Sequence, residues 1–243
     1  DEQLGRAADW IDDQGLAATT LLIFTSDHGS MLYDHGAPND KHSFLESSWH
    51  VPMLMRQPGV LPANVTNAFA TTIDITASIL AAVGVDWEQT MQEEPTAGDA
   101  NVTFFMSGVD LYTPLASGGA EPRTAVAATE YRGYAVATRY WKLIYMAEQG
   151  EGRLFDREND ALERTDLWNE PAYAAVKSAL LVGLLRWRAQ QDDLQYQLTN
   201  WDGAADVGVR ARNDSTYISG RVAEKNLMEV AGQADAIWPI ARE

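Results

Sequence analysis

Apolar residues in the first half of the chain occur either at helical spacing or in short unbroken runs. Residues 4–14 place apolar side chains every three or four positions, which predicts an amphipathic helix. Leu21–Phe24 is an unbroken apolar run, which is typical of a strand buried on both faces of a parallel sheet. Val51–Met55 predicts a second strand, and Thr72–Val83 predicts a second helix. Strands that alternate with helices indicate an α/β fold for this part of the chain.

The pattern changes near residue 118. Four short β-rich segments, separated by turns, then predict an antiparallel meander, at Thr124–Glu130, Tyr134–Thr138, Lys142–Met146 and Leu154–Asp156. A broad apolar face along Ala172–Gln190 predicts a helix that covers this small sheet. We therefore predict an α/β domain over residues 1–118, a small α+β subdomain over residues 119–198, and an extension of uncertain structure over residues 199–243.

The charge balance and the cysteine count exclude several classes of function. The chain has 18 basic and 35 acidic residues among 243, and its net charge of −17 repels nucleic-acid phosphates and anionic membrane surfaces. It contains no cysteine, which excludes disulfides, thiolate metal sites and cysteine nucleophiles within these residues. No apolar stretch approaches the roughly 20 residues that cross a bilayer. Neither nucleic acid nor a membrane span is therefore predicted.

Candidate chemistry is concentrated in one short window. All four histidines lie within 23 residues, at His28, His35, His42 and His50. Asp27 and His28 directly follow the predicted strand Leu21–Phe24, and ligands bind at the carboxyl ends of strands in open α/β sheets. A carboxylate and an imidazole together suit a divalent cation. The alternative for Asp27 is a helix cap or a turn.

Lys41 lies in the same window and is one of only four lysines in the chain. Its ammonium would supply the point charge that a bound anion needs, and the alternative is a solvated surface lysine. The other three histidines in the window are predicted to lie outside the site, as polar surface groups or hydrogen-bonded partners.

An ordered series of segments in this chain closely resembles the sulfatases. The series opens with Thr25–Gly36, Lys41–Ser48 and Val51–Gly59. It continues in the same order with Thr72–Thr76, Ser107–Leu111, Thr138–Ile144 and Leu154–Asp160. The resemblance covers roughly residues 1–190, and its length and order make it specific.

The resemblance implies a fold and a set of site residues. It implies an alkaline-phosphatase-like α/β/α sandwich, incomplete at its N-terminus, followed by a small α+β subdomain. The Asp-His pair is similar to that of the iduronate-sulfatase and choline-sulfatase branches. The resemblance therefore implies that Asp27 and His28 are metal ligands. The metal implied is Ca²⁺, with Mn²⁺ or Mg²⁺ as alternatives, and Lys41 would bind the sulfate group.

The nucleophile that this resemblance implies is missing from the chain. Sulfatases use a formylglycine made from the Cys or Ser of a Cys/Ser-X-Pro-X-Arg motif, and none of the nine prolines here has Cys or Ser two positions earlier. We therefore expect the catalytic half to precede Asp1 and the chain alone to be inactive. Asp1–Gln3 lack the basic start and the apolar run of a secretory signal, but in an expected fragment this says little about the compartment, which is not predicted. The oligomeric state is not predicted either.

The resemblance implies a sulfuric ester hydrolase that cleaves the sulfate monoester of a sulfated small molecule or a sulfated glycan with a divalent metal. One alternative is a phosphonate or phosphate ester hydrolase of the same superfamily, which the identity of the nucleophile would distinguish. Another is a non-catalytic homologue or binding module, which sulfate and calcium binding would distinguish. The particular ester is not specified, because its contacts would come from variable loops such as residues 86–103.

Overall fold

The computed structural model describes residues 1–38, 41–86, 108–130, 133–199, 229 and 232–236. These residues form two compact units. The first unit comprises the described parts of Asp1–Asp86 together with Val109–Arg123 and Leu162–Arg164. The second comprises the described parts of Trp87–Gly108, Thr124–Ala161 and Thr165–Glu243. The predicted extension 199–243 lies almost wholly outside the described residues. The predicted boundaries at residues 118 and 198 stay predictions.

Short helices and one pair of strands make up the first unit. In chain order they are α1 (Glu2–Asp13), β1 (Leu22–Thr25), α2 (Glu46–Trp49), β2 (Met53–Arg56), α3 (Asp74–Ala82) and α4 (Tyr112–Ser117). The helices predicted over residues 4–14 and 72–83 are confirmed as α1 and α3. Gly84 follows α3 with φ +75°, a left-handed conformation that glycine adopts without a Cβ penalty, and the helix ends there.

The prediction for the first strand is wrong in two respects. The strand is displaced by one residue, and β1 pairs with β2 in antiparallel register, with Ile23 opposite Met55. Phe24 and its cross-strand partner Leu54 are both exposed, so β1 is not buried on both faces among the described residues. The reason is that an apolar run indicates a strand but does not specify the direction of its neighbour or the cover on each face.

The interior of the first unit contains a hydrogen-bonded carboxylate. Asp74, at the start of α3, is fully buried. Its Oδ2 accepts the N–H and the hydroxyl of Thr71 at 2.8 and 2.9 Å, and its Oδ1 accepts the N–H of Val109 at 2.9 Å. Nη2 of the buried Arg123 donates to the same Oδ1 at 2.6 Å. These bonds tie α3 to the segment that leads into α4.

A four-stranded antiparallel meander and one long helix make up the second unit. The strands are β3 (Ala125–Glu130), β4 (Gly133–Thr138), β5 (Trp141–Met146) and β6 (Glu151–Asp156), in sheet order β3-β4-β5-β6. The helix α5 spans Ala174–Thr199 and packs Val176, Leu180 and Leu184 against Trp141, Leu143 and Leu154 of the sheet. The predicted meander and the predicted covering helix are both confirmed. Within the described part of the chain, no helix is both long and apolar enough to cross a bilayer.

Candidate functional site

The turn that follows β1 brings Asp27 and His28 side by side. Oδ1 of Asp27 accepts the backbone N–H of His28 at 2.9 Å, and the hydroxyl of Ser26 donates to the carbonyl oxygen of His28 at 2.9 Å. These bonds bend the chain, because adjacent side chains on a regular strand would point to opposite faces. Oδ2 of Asp27 therefore lies 3.4 Å from Nε2 of His28. The two predicted metal ligands point to one place.

The hydrogen bond on the other side of the imidazole fixes which ring nitrogen carries a proton. Nδ1 of His28 lies 2.8 Å from the carbonyl oxygen of Gly29. A carbonyl only accepts, so Nδ1 is the donor, and in the neutral ring Nε2 keeps a lone pair. The nitrogen that faces Asp27 is thus the one able to bind a cation. A backbone carbonyl that holds the far nitrogen in this way is a common support for histidine ligands.

Asp27 is held in its charged form. The backbone N–H of His28, and after it the charge of the His28 ring, lower the pKa of Asp27 below its usual value. The side chain is mostly exposed, so an ion from solvent can reach it. Asp27 therefore presents a carboxylate at neutral pH.

The backbone next to this pair is packed against α2. The N–H of Gly29 donates to the carbonyl oxygen of Ser48 at 2.8 Å. A Cβ at Gly29 would clash with the carbonyl oxygen of Ser47, so only glycine allows this approach. The buried hydroxyl of Ser48 then donates to the carbonyl oxygen of Lys41 at 2.6 Å. Ser48 thereby connects the turn that carries Asp27 and His28 to the backbone of Lys41.

The structure connects the three predicted site residues through the backbone contacts of Ser48. The side chain of Lys41 is exposed, and its role toward sulfate stays a prediction, as do the metal roles of Asp27 and His28. The exclusion of the other histidines from the site also stays a prediction, and two of them contact other groups. Nε2 of His35 contacts the carbonyl oxygen of Leu162 at 3.1 Å, and Nδ1 of His50 lies 3.0 Å from Oε2 of Glu46, four residues earlier.

A second carboxylate, Asp34, orders the loop between β1 and α2. Its Oδ2 accepts the hydroxyl of Ser47, and Nη2 of Arg164 lies 2.8 Å from its Oδ1. The Ser47 hydroxyl first, and then the charges of Arg164 and His35, lower the pKa of Asp34. Asp34 is therefore charged in the folded chain and links three separate stretches of sequence.

The residues that the sequence did not reveal lie in Leu162–Arg164. These residues are more than a hundred positions from the loop that they contact, and nothing in their local pattern marks them. Glu163 accepts the backbone N–H of Glu46 through Oε2 at 2.9 Å, and its φ of +56° is in the left-handed region. Only the fold can show contacts over such a separation.

The donor set of Asp27 and His28 fits part of a metal site. Among the residues that the structure describes, no group of three or more His, Cys, Asp or Glu side chains could hold a metal ion. The pair alone nevertheless has suitable geometry: two ligands at about 2.4 Å from an ion and at right angles to each other lie about 3.4 Å apart. The carboxylate oxygen suits Ca²⁺, Mg²⁺ or Mn²⁺, and the imidazole nitrogen suits the later transition metals. The pair can therefore hold one side of a divalent cation.

The chain is similar to sulfatases in sequence. Residues 1–85 match the protein family described as Sulfatase. The choline-sulfatase of Rhizobium meliloti is 29% identical over 196 residues, which is 80% of this chain and 36% of that protein. The N-acetylglucosamine-6-O-sulfatase of Bacteroides thetaiotaomicron is 24% identical over 207 residues, which is 79% of this chain and 34% of that protein. The chain thus spans about a third of the length of these relatives.

Solved structures share the fold. A protein in complex with its substrate D-glucosamine-2-N,6-O-disulfate superimposes with a TM-score of 0.62 at 24% identity, covering 84% of this chain and 40% of that one. A phosphonate monoester hydrolase from Silicibacter pomeroyi superimposes with a TM-score of 0.54 at 23% identity, covering 82% of this chain and 39% of that one. These likenesses confirm the predicted α/β fold class.

The chain thus has the α/β fold of these solved structures, with a polar turn at the end of β1. In sequence, residues 1–85 match the sulfatase family, and most of the chain aligns with individual sulfatases. Sulfatases generally use a divalent metal ion and a formylglycine residue.

Proposed function

We propose that this chain supplies part of the active site of a sulfuric ester hydrolase, which cleaves a sulfate monoester with a divalent metal ion. The observation that supports this most directly is the convergence of Asp27 and His28. Their facing atoms lie 3.4 Å apart at the end of β1, within the residues that match the sulfatase family.

In this proposal Asp27 and His28 hold the cation and Lys41 binds the substrate. The ionised carboxylate of Asp27 and the lone pair of His28 Nε2 are the ligands, and we propose Ca²⁺ as the ion because the carboxylate is a hard oxygen donor. The cation, when bound, neutralises charge on the sulfate oxygens. The ammonium of Lys41 donates hydrogen bonds to the same sulfate group, which places positive charge where negative charge develops.

The formylglycine of the family does not fit these residues. The chain has no cysteine, and no serine stands two positions before a proline. Asp27, His28 and Lys41 are proposed to bind and orient a sulfate group, and none of them is proposed as the nucleophile. We therefore expect the 243-residue chain to show no turnover of an aryl sulfate, with or without Ca²⁺. Metal-dependent turnover would require a nucleophile among these residues and would contradict the assignment.

The substrate class that we propose is a sulfated small molecule or a sulfated glycan. The named relatives include a choline-sulfatase and an N-acetylglucosamine-6-O-sulfatase, and one structural neighbour was solved with a disulfated glucosamine. The second candidate is hydrolysis of a phosphonate or phosphate ester. The phosphonate monoester hydrolase among the structural neighbours favours it, because its fold is shared over 82% of this chain.

Metal binding tests the first half of the proposal. Two protein ligands are few for Ca²⁺, which takes six to eight, so we expect the chain to bind it with a Kd on the order of 1 mM. Calorimetric titration should show binding weakened at least tenfold in Asp27→Asn and less severely in His28→Ala. Asp9→Asn, a matched change on the exposed side of α1, should bind as the wild type does. Unchanged Ca²⁺ binding in Asp27→Asn would remove Asp27 from the site.

Anion binding tests the second half and separates the two candidate functions. Inorganic sulfate, titrated in the presence of Ca²⁺, should bind more weakly to Lys41→Ala by about tenfold or more. Arg186→Ala removes an exposed positive charge on α5 and is the control for net charge. Methylphosphonate in a parallel titration should bind no better than sulfate. Clearly tighter binding of methylphosphonate would favour the phosphonate alternative.

A further inference from the structure

Three consecutive residues, Leu162–Arg164, each contact the segment that carries Lys41. We call residues 34–50 the site segment. The carbonyl oxygen of Leu162 contacts Nε2 of His35 at 3.1 Å, and Arg164 pairs with Asp34 at 2.8 Å. Between these two residues, Oε2 of Glu163 accepts the N–H of Glu46 at 2.9 Å. The first two of these contacts reach the start of the site segment and the third reaches the start of α2.

The three contacts differ in strength, and burial decides which one dominates. The side chain of Arg164 is 56% exposed, so water and salt compete for its ion pair with Asp34, and such pairs contribute little. Glu163 is only 2% exposed. A hydrogen bond to a carboxylate that water cannot reach is among the stronger polar contacts in a protein. Glu163 therefore holds the site segment more firmly than its neighbours do.

The backbone at Glu163 is in a conformation that would suit glycine. Its φ is +56°, where a side chain crowds the backbone and costs on the order of 1 kcal/mol. Glycine would remove that cost, but it would also remove the carboxylate. The hydrogen bond between Glu163 and Glu46 offsets this strain. The carboxylate of Glu163 thus has a role that a glycine, which fits the backbone better, could not fill.

The position of Glu46 explains what this contact controls. Glu46 begins α2, and Ser48 lies in the same helical turn. Ser48 accepts the N–H of Gly29, which follows Asp27 and His28, and it donates to the carbonyl oxygen of Lys41. A shift of α2 would therefore move the backbone on both sides of the candidate site.

We infer that Leu162–Arg164 is a positioning element of the candidate site and that Glu163 is its principal positioning residue. Glu163 fixes α2 through the N–H of Glu46, and α2 fixes the turn at Gly29 and the backbone of Lys41 through Ser48. The inference rests on the proposed function in one respect only, namely that Lys41 binds sulfate. No direct contact of Glu163 with metal or substrate is implied.

Amide hydrogen exchange of the whole chain, measured by NMR, tests the positioning role without any need for activity. In Glu163→Gly, which relieves the backbone strain and deletes the carboxylate, the amides of Glu46 and Gly29 should exchange about tenfold faster or more. Glu163→Gln keeps a weaker, neutral acceptor, and its exchange should rise only about threefold. Glu170→Gly and Glu170→Gln, at an exposed glutamate in the same loop region, should leave both amides unchanged.

A larger rise in exchange rate in Glu163→Gly than in Glu163→Gln would distinguish positioning by the carboxylate from a merely structural role of the residue. Wild-type exchange at Glu46 and Gly29 in both Glu163 variants would overturn the inference. If Glu163→Gly does not fold, the Glu163→Gln comparison with Glu170→Gln decides alone. A threefold rise at the two amides supports the role, and no rise overturns it.

Titration with inorganic sulfate in the presence of Ca²⁺, followed at the amide of Lys41, separates failure of this inference from failure of the proposed function. Glu163→Gly should bind sulfate about tenfold more weakly than wild type, and Glu163→Gln should lie in between. Equal sulfate affinity in all three proteins would overturn the link from Glu163 to Lys41. If the wild-type chain binds no sulfate, the proposed anion site fails, and the exchange rates still decide whether Glu163 positions α2.

Discussion

The two units of this chain hold themselves together by different means. The second unit packs an apolar face of α5 onto an apolar face of the meander, and its strands follow one another with short turns. In the first unit, polar contacts join residues that are far apart in sequence, such as Asp74 with Arg123 and Glu163 with Glu46. Apolar packing tolerates small shifts, whereas a hydrogen bond is lost when its geometry fails. The candidate site lies in the first unit, where the bond from Glu46 to Glu163 holds the start of α2.

The largest effect should come from the buried carboxylate of the first unit. Asp74→Ala deletes the ion that faces buried Arg123 and the acceptor for two backbone N–H groups. Breaking a buried ion pair of this kind costs about 3–5 kcal/mol of unfolding free energy, because the remaining charge stays desolvated. Urea unfolding followed by circular dichroism measures it. Asp9→Ala on the exposed side of α1 should cost little, and a loss below about 1 kcal/mol in Asp74→Ala would show that Arg123 tolerates the change.

A comparable but smaller effect should follow from the apolar core of the second unit. Leu180 is 1% exposed and Leu185, on the same helix, is 69% exposed. Leu180→Ala removes buried methyl groups and leaves a cavity, which costs about 2–5 kcal/mol. Leu185→Ala makes the same chemical change at the surface and should stay within about 0.5 kcal/mol of wild type. Equal unfolding free energies for the two variants would contradict the packing of α5 on the sheet.

The difference between the units also decides how much of the fold the sequence could predict. The meander and α5 were predictable because each strand and its turn lie next to each other in sequence, and the helix repeats its apolar positions along one face. The pairing of β1 was not predictable. Leu21–Phe24 reads as a strand, yet nothing in four apolar residues specifies that β2 lies beside it in antiparallel register.

The candidate site was predictable only in part, for a related reason. The position of Asp27 and His28 after a strand could be predicted from the order of the residues, and the resemblance supplied the roles that we propose for them. The residues that hold this pair in position could not be predicted from the sequence. Glu163 contacts a residue 117 positions away, and one glutamate in a polar loop carries no local mark of such a contact. Residues that ligate a metal or an anion belong to recognisable motifs, whereas residues that position them are specified by the fold.

A substitution at Gly29 should have a smaller effect on stability, and it tests the packing next to the candidate site rather than that of the whole first unit. Gly29→Ala would push a Cβ against the carbonyl oxygen of Ser47, and overpacking against the backbone costs about 1–3 kcal/mol. The same variant should weaken Ca²⁺ or sulfate binding, because the turn and α2 can no longer approach. Gly5→Ala in α1 meets nothing within 4 Å and should instead stabilise the chain by up to about 1 kcal/mol. Thermal unfolding of both variants measures the contrast, and a stable Gly29→Ala chain would contradict the close packing.

The smallest effect we predict is the pH dependence that Asp34 contributes to the first unit. The hydroxyl of Ser47 and the charges of Arg164 and His35 lower the folded-state pKa of Asp34 below the ordinary value of 3.8, which the unfolded chain keeps. The unfolded chain therefore binds this proton at a higher pH than the folded chain does. Asp34 stabilises the fold fully above pH 3.8, and its contribution is lost as the pH falls through the lowered folded-state pKa.

Asp34→Asn removes this contribution, so its unfolding free energy should lie below that of wild type at pH 6, and the gap should narrow at pH 3. Urea unfolding at the two pH values measures the narrowing. Asp9→Asn, the matched change on α1, should show no comparable gap at either pH. The expected difference in unfolding free energy is small because part of the Asp34 side chain meets solvent and Arg164 is mostly exposed, so screening weakens the pair.

A difference between Asp34→Asn and wild type that stays constant between pH 6 and pH 3 would contradict this prediction. It would mean that Asp34 acts through the shape of its hydrogen bond to Ser47 and not through its charge. The loop of the candidate site would then be held by the geometry of this hydrogen bond, which an asparagine does not reproduce.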